Sequence, residues 1–362
     1  MYDIIIRMVM ANADESGPEP LRFSGPLFDD LRKGQLFHSP SVTLTEGLAA
    51  AHQAILGDRL RLPLDRGLSA AVTGGPVAHP GLIADLAIGQ STVVTHRVRA
   101  NLFYRGLRFH HFPFIGDTLT TRTEVVGLKQ NRHRTGRPPT GLAVLRMTTS
   151  DQDGRTVLDF HRCAMLPRRS GQAVHAAGSG ADTAGLPHDD EALHDDDPAA
   201  IGTESPAAWA TPRGWDLGAY PSLVPGADEQ APPAGTILRS SADVVSSAPE
   251  LARLTLNIAE AHHDHRAAGG RRLVYGGHTI GLALSQATRM LPTMLTVLGW
   301  RSCDHTGPVY EGDTLSSDVS IGPSTRLDGG GAALELRSLV RAHRPAGDVD
   351  VLDWAYTVLM PS

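Results

Sequence analysis

The sequence predicts an α+β fold laid down twice in one chain. Three observations carry this. In the first half, one strand and two helical stretches come first, and only alternating, strand-like segments follow. Long motifs of that half then return, in the same order, in the second half. Between them lies a stretch too poor in large apolar residues to build a core. At 362 residues the chain exceeds the usual size of a single domain, so two units are expected.

Residues 36–44 suit an entry strand. Residues 45–57 suit a helix, with Thr45 as N-cap and Gly57 as terminator. Residues 58–73 read as loop. A second helix is expected over 77–89, with Pro80 near its first turn and His79 as a helix-start capping residue. Four strand-like segments follow near 98–109, 119–126, 141–149 and 156–166, separated by Gly/Asp turns. The expected layout is a disordered leader at 1–25, a first unit at 26–168, an acidic flexible linker at 169–212 and a second unit at 213–362. The leader is apolar for ten residues. It is too short to span a membrane and lacks the basic start of a signal peptide.

The repeat is explicit. Pro113-Phe-Ile-Gly-Asp-Thr-Leu119 matches Pro308-Val-Tyr-Glu-Gly-Asp-Thr-Leu315, with Asp117 and Asp313 196 positions apart. Val157-Leu-Asp-Phe-His-Arg-Cys-Ala-Met-Leu-Pro167 matches Val351-Leu-Asp-Trp-Ala-Tyr-Thr-Val-Leu-Met-Pro361, 194 apart. Val77-Ala-His-Pro and Val274-Tyr-Gly-Gly-His take equivalent helix-start positions. Gly116-Asp117 and Gly312-Asp313 read as turn residues.

A net charge of −6 argues against nucleic acid and anionic membranes as partners. No run of about 18 apolar residues occurs, so no transmembrane segment is predicted. The two cysteines, Cys163 and Cys303, lack metal-ligand spacing and cannot form a disulfide framework, which fits a cytoplasmic setting.

The chemistry concentrates between Asn257 and His278. His262, His263 and His265 precede the basic pair Arg271-Arg272, then a tight Gly276-Gly277 turn, then an apolar helical run over 279–291. An imidazole beside a helix N-terminus suits the activation of a carbonyl. His263 and His265 read as surface loop residues. A zinc site from His262, Asp264 and His265 lacks a fourth ligand at suitable spacing.

Gly312-Asp-Thr-Leu, the His/Gly turn before a helix and the histidine about fifteen residues earlier together resemble the MaoC-type acyl-CoA dehydratases of the hot-dog superfamily. Gly127-Leu-Lys-Gln-Asn131, Gly270-Arg-Arg-Leu-Val-Tyr-Gly-Gly-His278 and Val351–Pro361 resemble more narrowly the mesaconyl-CoA (2-methylfumaryl-CoA) hydratase branch. The resemblance implies a double hot-dog fold: two helix-wrapped antiparallel sheets paired edge to edge. It implies reversible hydration of an enoyl-CoA thioester, short and branched or dicarboxylic, with no metal or organic cofactor. The family's catalytic loop reads Asp-x-x-x-x-His. Here that spacing falls on Asn257 and His262, while the first half offers Asp58 and Pro63, so one active site is expected.

In that reading His262 is the base and Asn257 holds the water. The Gly277 N–H is the oxyanion donor. Arg271 and Arg272 are placed to meet CoA phosphates, an exposed charged loop being the alternative. Tyr275, Gly276 and His278 are expected to line the substrate. Two other functions stay open: a dehydratase on carrier-bound acyl chains, and a non-catalytic acyl-thioester-binding protein. The expected assembly is a monomer or a homodimer.

Overall fold

The computed structural model describes residues 24–132, 136–169, 196–203, 208–227 and 229–361. The expected leader lies outside the described residues, except for its last two, as do 170–195 and 204–207 of the expected linker.

In the first unit, β1 (Leu36–His38) and β2 (Val42–Thr43) lead into α1 (Glu46–Leu56), α2 (Arg61–Leu64), α3 (Arg66–Thr73) and α4 (Pro80–Gln90). Four long strands follow: β3 (Ala100–Phe109), β4 (Thr118–Gln130), β5 (Thr140–Ser150) and β6 (Thr156–Pro167). After α5 (Tyr220–Leu223), the second unit repeats the order with β7 (Ile237–Arg239), β8 (Asp243–Val244), α6 (Ala248–Leu254), α7 (Glu260–His263), α8 (Gly276–Met290), β9 (Thr296–His305), β10 (Thr314–Arg326), β11 (Ala332–His343) and β12 (Val349–Met360).

Local chemistry explains the boundaries. The Thr45 hydroxyl accepts the Leu48 N–H at 3.1 Å, and Gly57 stops α1 at φ 65°. Residues 58–73, expected as loop, instead hold α2 and α3. The first is a single turn, and the second is set by the Asp65 carboxylate accepting the Leu68 N–H at 3.0 Å. Helices this short show little periodicity in sequence. The Gly-Gly turn is also corrected: Gly276 and Gly277 form the first turn of α8. Every residue from Gly277 to Thr288 is buried. α4 is likewise buried on nearly all sides, because it runs through the core.

All described strands except β2 and β8 lie on one antiparallel path, β1-β4-β5-β6-β3-β9-β12-β11-β10-β7. β2 and β8 pair with β4 and β10. The units join edge to edge through β3 and β9, where Tyr104 faces Cys303 and Leu107 faces Trp300. The repeat is equally clear in the side chains. Gln90 of α4 accepts from Thr121 of β4, and Gln286 of α8 accepts from Ser317 of β10.

The described part of the linker is exposed or half-buried at most positions but is tied to the first unit at Asp196. Asp196 accepts from Lys33 Nζ at 3.0 Å and from the Leu128 N–H at 3.1 Å. Farther on, Trp215 packs on Phe112 with ring centroids 5.1 Å apart, and Phe112 stacks on Phe109 at 5.2 Å.

Candidate active site

A cleft of about 450 Å³ opens where the two units meet. One wall is the second unit: His262, Leu273 to Gly276, Thr279 and the segment from His305 to Tyr310. The other is the first unit: Val98 to Leu102, Tyr104 and Arg162.

The loop bearing His262 is fixed by the opposite unit. The Ile258 N–H donates to Thr92 Oγ1 at 3.0 Å, and the Glu260 N–H donates to the His96 carbonyl at 2.9 Å. Gly89 makes room for this crossing, since a Cβ there would stand 1.7 Å from the Thr255 carbonyl oxygen. Leu256 holds a left-handed φ of 60°, a strained value for a branched residue, which turns the chain into the loop.

His262 sits at the end of α7, 9% exposed. Its Nδ1 lies 2.8 Å from the Leu273 carbonyl oxygen. A carbonyl only accepts, so Nδ1 carries the proton and Nε2 holds the lone pair. Burial pushes the imidazole down to about 4, with help from the Arg162 charge, so the ring is neutral at pH 7. His305, on the same wall, is pushed down to about 4 by burial as well, and its Nε2 is buried with no protein partner. The Tyr275 ring lies 5.8 Å from that of His262, and its hydroxyl donates to Asp85 Oδ1 at 3.1 Å. Asp85 belongs to the first unit, and its other oxygen takes His52 Nε2 at 3.0 Å.

Among the residues singled out in the sequence, His262, Tyr275 and Gly276 meet at the cleft. The others do not line it. Asn257 is buried, and its Oδ1 accepts the Ala259 N–H at 3.0 Å, so it shapes the loop and has no water-holding oxygen turned to the cleft. In the first unit Asp58 does the same for Leu60 at 2.7 Å. Gly277 faces away: a Cβ on it would stand 2.0 Å from Asp85 Oδ1, and it borders a separate small cavity. Gly276 is therefore the cleft-side glycine of the α8 N-terminus. His278 is fully buried, with neither ring nitrogen partnered by protein. Arg271 and Arg272 are exposed. The Arg271 guanidinium lies over the Tyr310 ring at 4.0 Å, at the cleft rim, while Arg272 points toward Glu311.

His263 is half-buried and donates from Nε2 to the Asn257 carbonyl at 2.6 Å, so it is part of the loop's frame, while His265 is exposed. His79 caps α4 by accepting the Gly81 N–H at 3.1 Å, and its Nε2 lies 2.9 Å from Asp58 Oδ1. Among the described residues no group of three His, Cys, Asp or Glu is placed to hold a metal ion. No described helix is long and apolar enough to cross a membrane.

Asn101, Tyr104, Arg162, His305 and Tyr310 were missed in the sequence. Each lies in a strand or turn with nothing local to mark it. The available signal was the repeat, because Phe109 and Tyr356 stand in the other half where His305 and Arg162 stand here.

No known family profile matches the chain. The chain is 27% identical to a beta-methylmalyl-CoA dehydratase of Chloroflexus aurantiacus, covering 93% of this chain and 97% of the relative. It is 26% identical to a mesaconyl-CoA hydratase of Cereibacter sphaeroides, covering 88% and 90%. Among solved structures it is similar to a conserved hypothetical protein of Mycobacterium tuberculosis with a double hotdog fold, at 56% identity, TM-score 0.82 and coverage of 92% and 98%. A putative MaoC domain protein dehydratase from Chloroflexus aurantiacus gives 26%, 0.72, and 93% and 97%. The fold is thus a double hot dog, with one cleft built from both of its units. Over nearly its whole length the chain is similar to CoA dehydratases and hydratases of the MaoC-like kind, and it shares the double hot-dog fold with the 56%-identical structure.

Proposed function

We propose that this chain reversibly hydrates an enoyl-CoA thioester at the His262 cleft, with a short branched or dicarboxylic acyl group of the mesaconyl-CoA kind. The observation that carries this is the state of His262. Its proton is committed to the Leu273 carbonyl, leaving a neutral Nε2 at the cleft wall.

Addition needs a base toward water, an acid toward Cα and donors for the thioester oxygen as it gains enolate charge. His262 Nε2 takes a proton from water as the oxygen attacks Cβ. The same imidazole then returns a proton to Cα. Water is thereby added with its hydroxyl and its hydrogen on one face of the double bond. The enolate oxygen is held by the free N–H groups of the α8 N-terminus, with Gly276 at the cleft side. Asp85 fixes that end of the helix through Tyr275. Arg271, over the Tyr310 ring at the rim, is our candidate to meet a CoA phosphate.

The turn of Asn257 away from the cleft favours one competing reading, an acyl-thioester-binding protein without turnover. Loss of the ultraviolet absorbance of 2-methylfumaryl-CoA separates the two. Turnover in the wild type, with a fall of about 100-fold or more in His262→Ala, supports the hydratase. An unchanged rate in His262→Ala removes His262 from the mechanism. Carrier-protein thioesters in the same assay test the biosynthetic alternative.

A further inference from the structure

We infer that Arg162, held by Asn101 and Ser91, is the residue that reads the free carboxylate of a dicarboxylic acyl thioester in the His262 cleft. This rests on the thioester reading of that cleft and names the group that selects the acyl chain.

Arg162 is 3% exposed and lines the cleft. Its Nε donates to Asn101 Oδ1 at 2.7 Å and its Nη1 to Ser91 Oγ at 2.8 Å. Both partners are neutral, and no Asp or Glu of the described residues pairs with it. A guanidinium stays charged at any physiological pH, and burying one without an anion is costly. The Asn101 Nδ2 is also buried with no protein acceptor, because its Oδ1 is turned to Arg162. This cleft wall thus holds a cation without an anion and an amide donor without an acceptor, and a carboxylate suits such a set.

The repeat provides an internal control. Tyr104 pairs with Arg162 across β3 and β6, and Trp300 pairs with Tyr356 across β9 and β12. Tyr356 therefore stands in the second unit where Arg162 stands in the first. By the same register Val297 replaces Asn101 and Ala287 replaces Ser91. The same backbone folds without the polar trio, so the trio is not a requirement of the fold.

Position also fits. In a fumaryl-type chain the carboxylate is borne on Cβ, the carbon that water attacks. Its reader must stand near the base, and the Arg162 charge is felt by both His262 and His305.

The test uses two pairs of ligands on the full chain. Saturated succinyl-CoA and butyryl-CoA, which cannot be hydrated, report binding. 2-Methylfumaryl-CoA and crotonyl-CoA report turnover. The wild type is expected to bind succinyl-CoA at least about 10-fold more tightly than butyryl-CoA, and Arg162→Met to lose that preference. In turnover, Arg162→Met should lose about 30-fold to 1,000-fold in kcat/KM on 2-methylfumaryl-CoA and change little on crotonyl-CoA. Asn101→Leu, which frees the guanidinium, should give an intermediate loss and guards against misfolding of the first variant. A wild type without preference for succinyl-CoA overturns the inference, as does an equal loss on both enoyl-CoAs. A wild type that binds succinyl-CoA selectively yet turns over neither enoyl-CoA sinks the hydratase reading and leaves Arg162 as carboxylate reader standing.

Discussion

His278→Leu should stabilise this protein, and more so in acid. The imidazole is fully buried and its two nitrogens have no protein partner. An unsatisfied buried polar group costs about 1–3 kcal/mol, and leucine has a similar volume without it. At pH 7 the variant should melt about 2 °C higher. The pH dependence is sharper. Burial holds His278 down at about 4, against 6.5 for an ordinary histidine. Between those values the unfolded chain binds a proton that the folded chain does not. This destabilisation therefore fades above 6.5 and grows as the pH falls toward 4. With those two constants, linkage gives about 0.2 kcal/mol at pH 7 and about 2 kcal/mol at pH 5. His262 and His305 are held down in the same way. The wild type should then lose about 5 kcal/mol between pH 7 and pH 5 from the three together, and His278→Leu should recover about a third of it. Urea unfolding at both pH values measures this directly. A variant less stable at pH 7, or one that loses as much as the wild type on acidification, would refute the reasoning.

Three further outcomes follow from the site. Gly277→Ala places a methyl 2.0 Å from Asp85 Oδ1, so it should cost about 1–3 kcal/mol in urea unfolding and reduce turnover by shifting the α8 N-terminus. Asn257→Ala removes the acceptor for the Ala259 N–H and should cost about 1 kcal/mol, while Asn257→Asp keeps the acceptor and should retain most of both stability and kcat; an Asp variant with sharply raised kcat would show that the side chain reaches the substrate. Arg271→Ala should raise KM for CoA thioesters several-fold but leave the matching pantetheine thioesters unaffected, since only the former carry the phosphates.

Much of the fold could be read before any coordinates, for a physical reason. α1 announces itself through Thr45 and Gly57, and the long strands through alternation, because these are local signals. α2, α3 and α7 were hidden because helices of one or two turns are fixed by caps and by the opposite unit. The site divides along the same line. His262, Tyr275 and Gly276 sit in one continuous stretch and were found together. Asn257 and Gly277 lie in that stretch too, yet one caps a backbone N–H and the other clears the Asp85 carboxylate. Spacing in sequence does not say which way a side chain turns.

The half of the cleft that stayed hidden comes from distant strands, and only the repeat exposes it. His262 stands opposite Pro63, His305 opposite Phe109, Arg162 opposite Tyr356, Asn101 opposite Val297 and Ser91 opposite Ala287. In every pair the polar member serves the one cleft, although two come from the second unit and three from the first. The other member is apolar or, for Tyr356, a buried aromatic stacked on Trp354. Around the place equivalent to His305, Phe109 and Phe112 are closed over by Trp215. A scaffold needs the same things of both copies, since the backbone is the same. Side chains that one copy carries and the other dispenses with are there for what the cleft holds. By that criterion Arg162 ranks with His262, and Asn257, whose counterpart Asp58 makes the same turn in the other half, belongs to the scaffold.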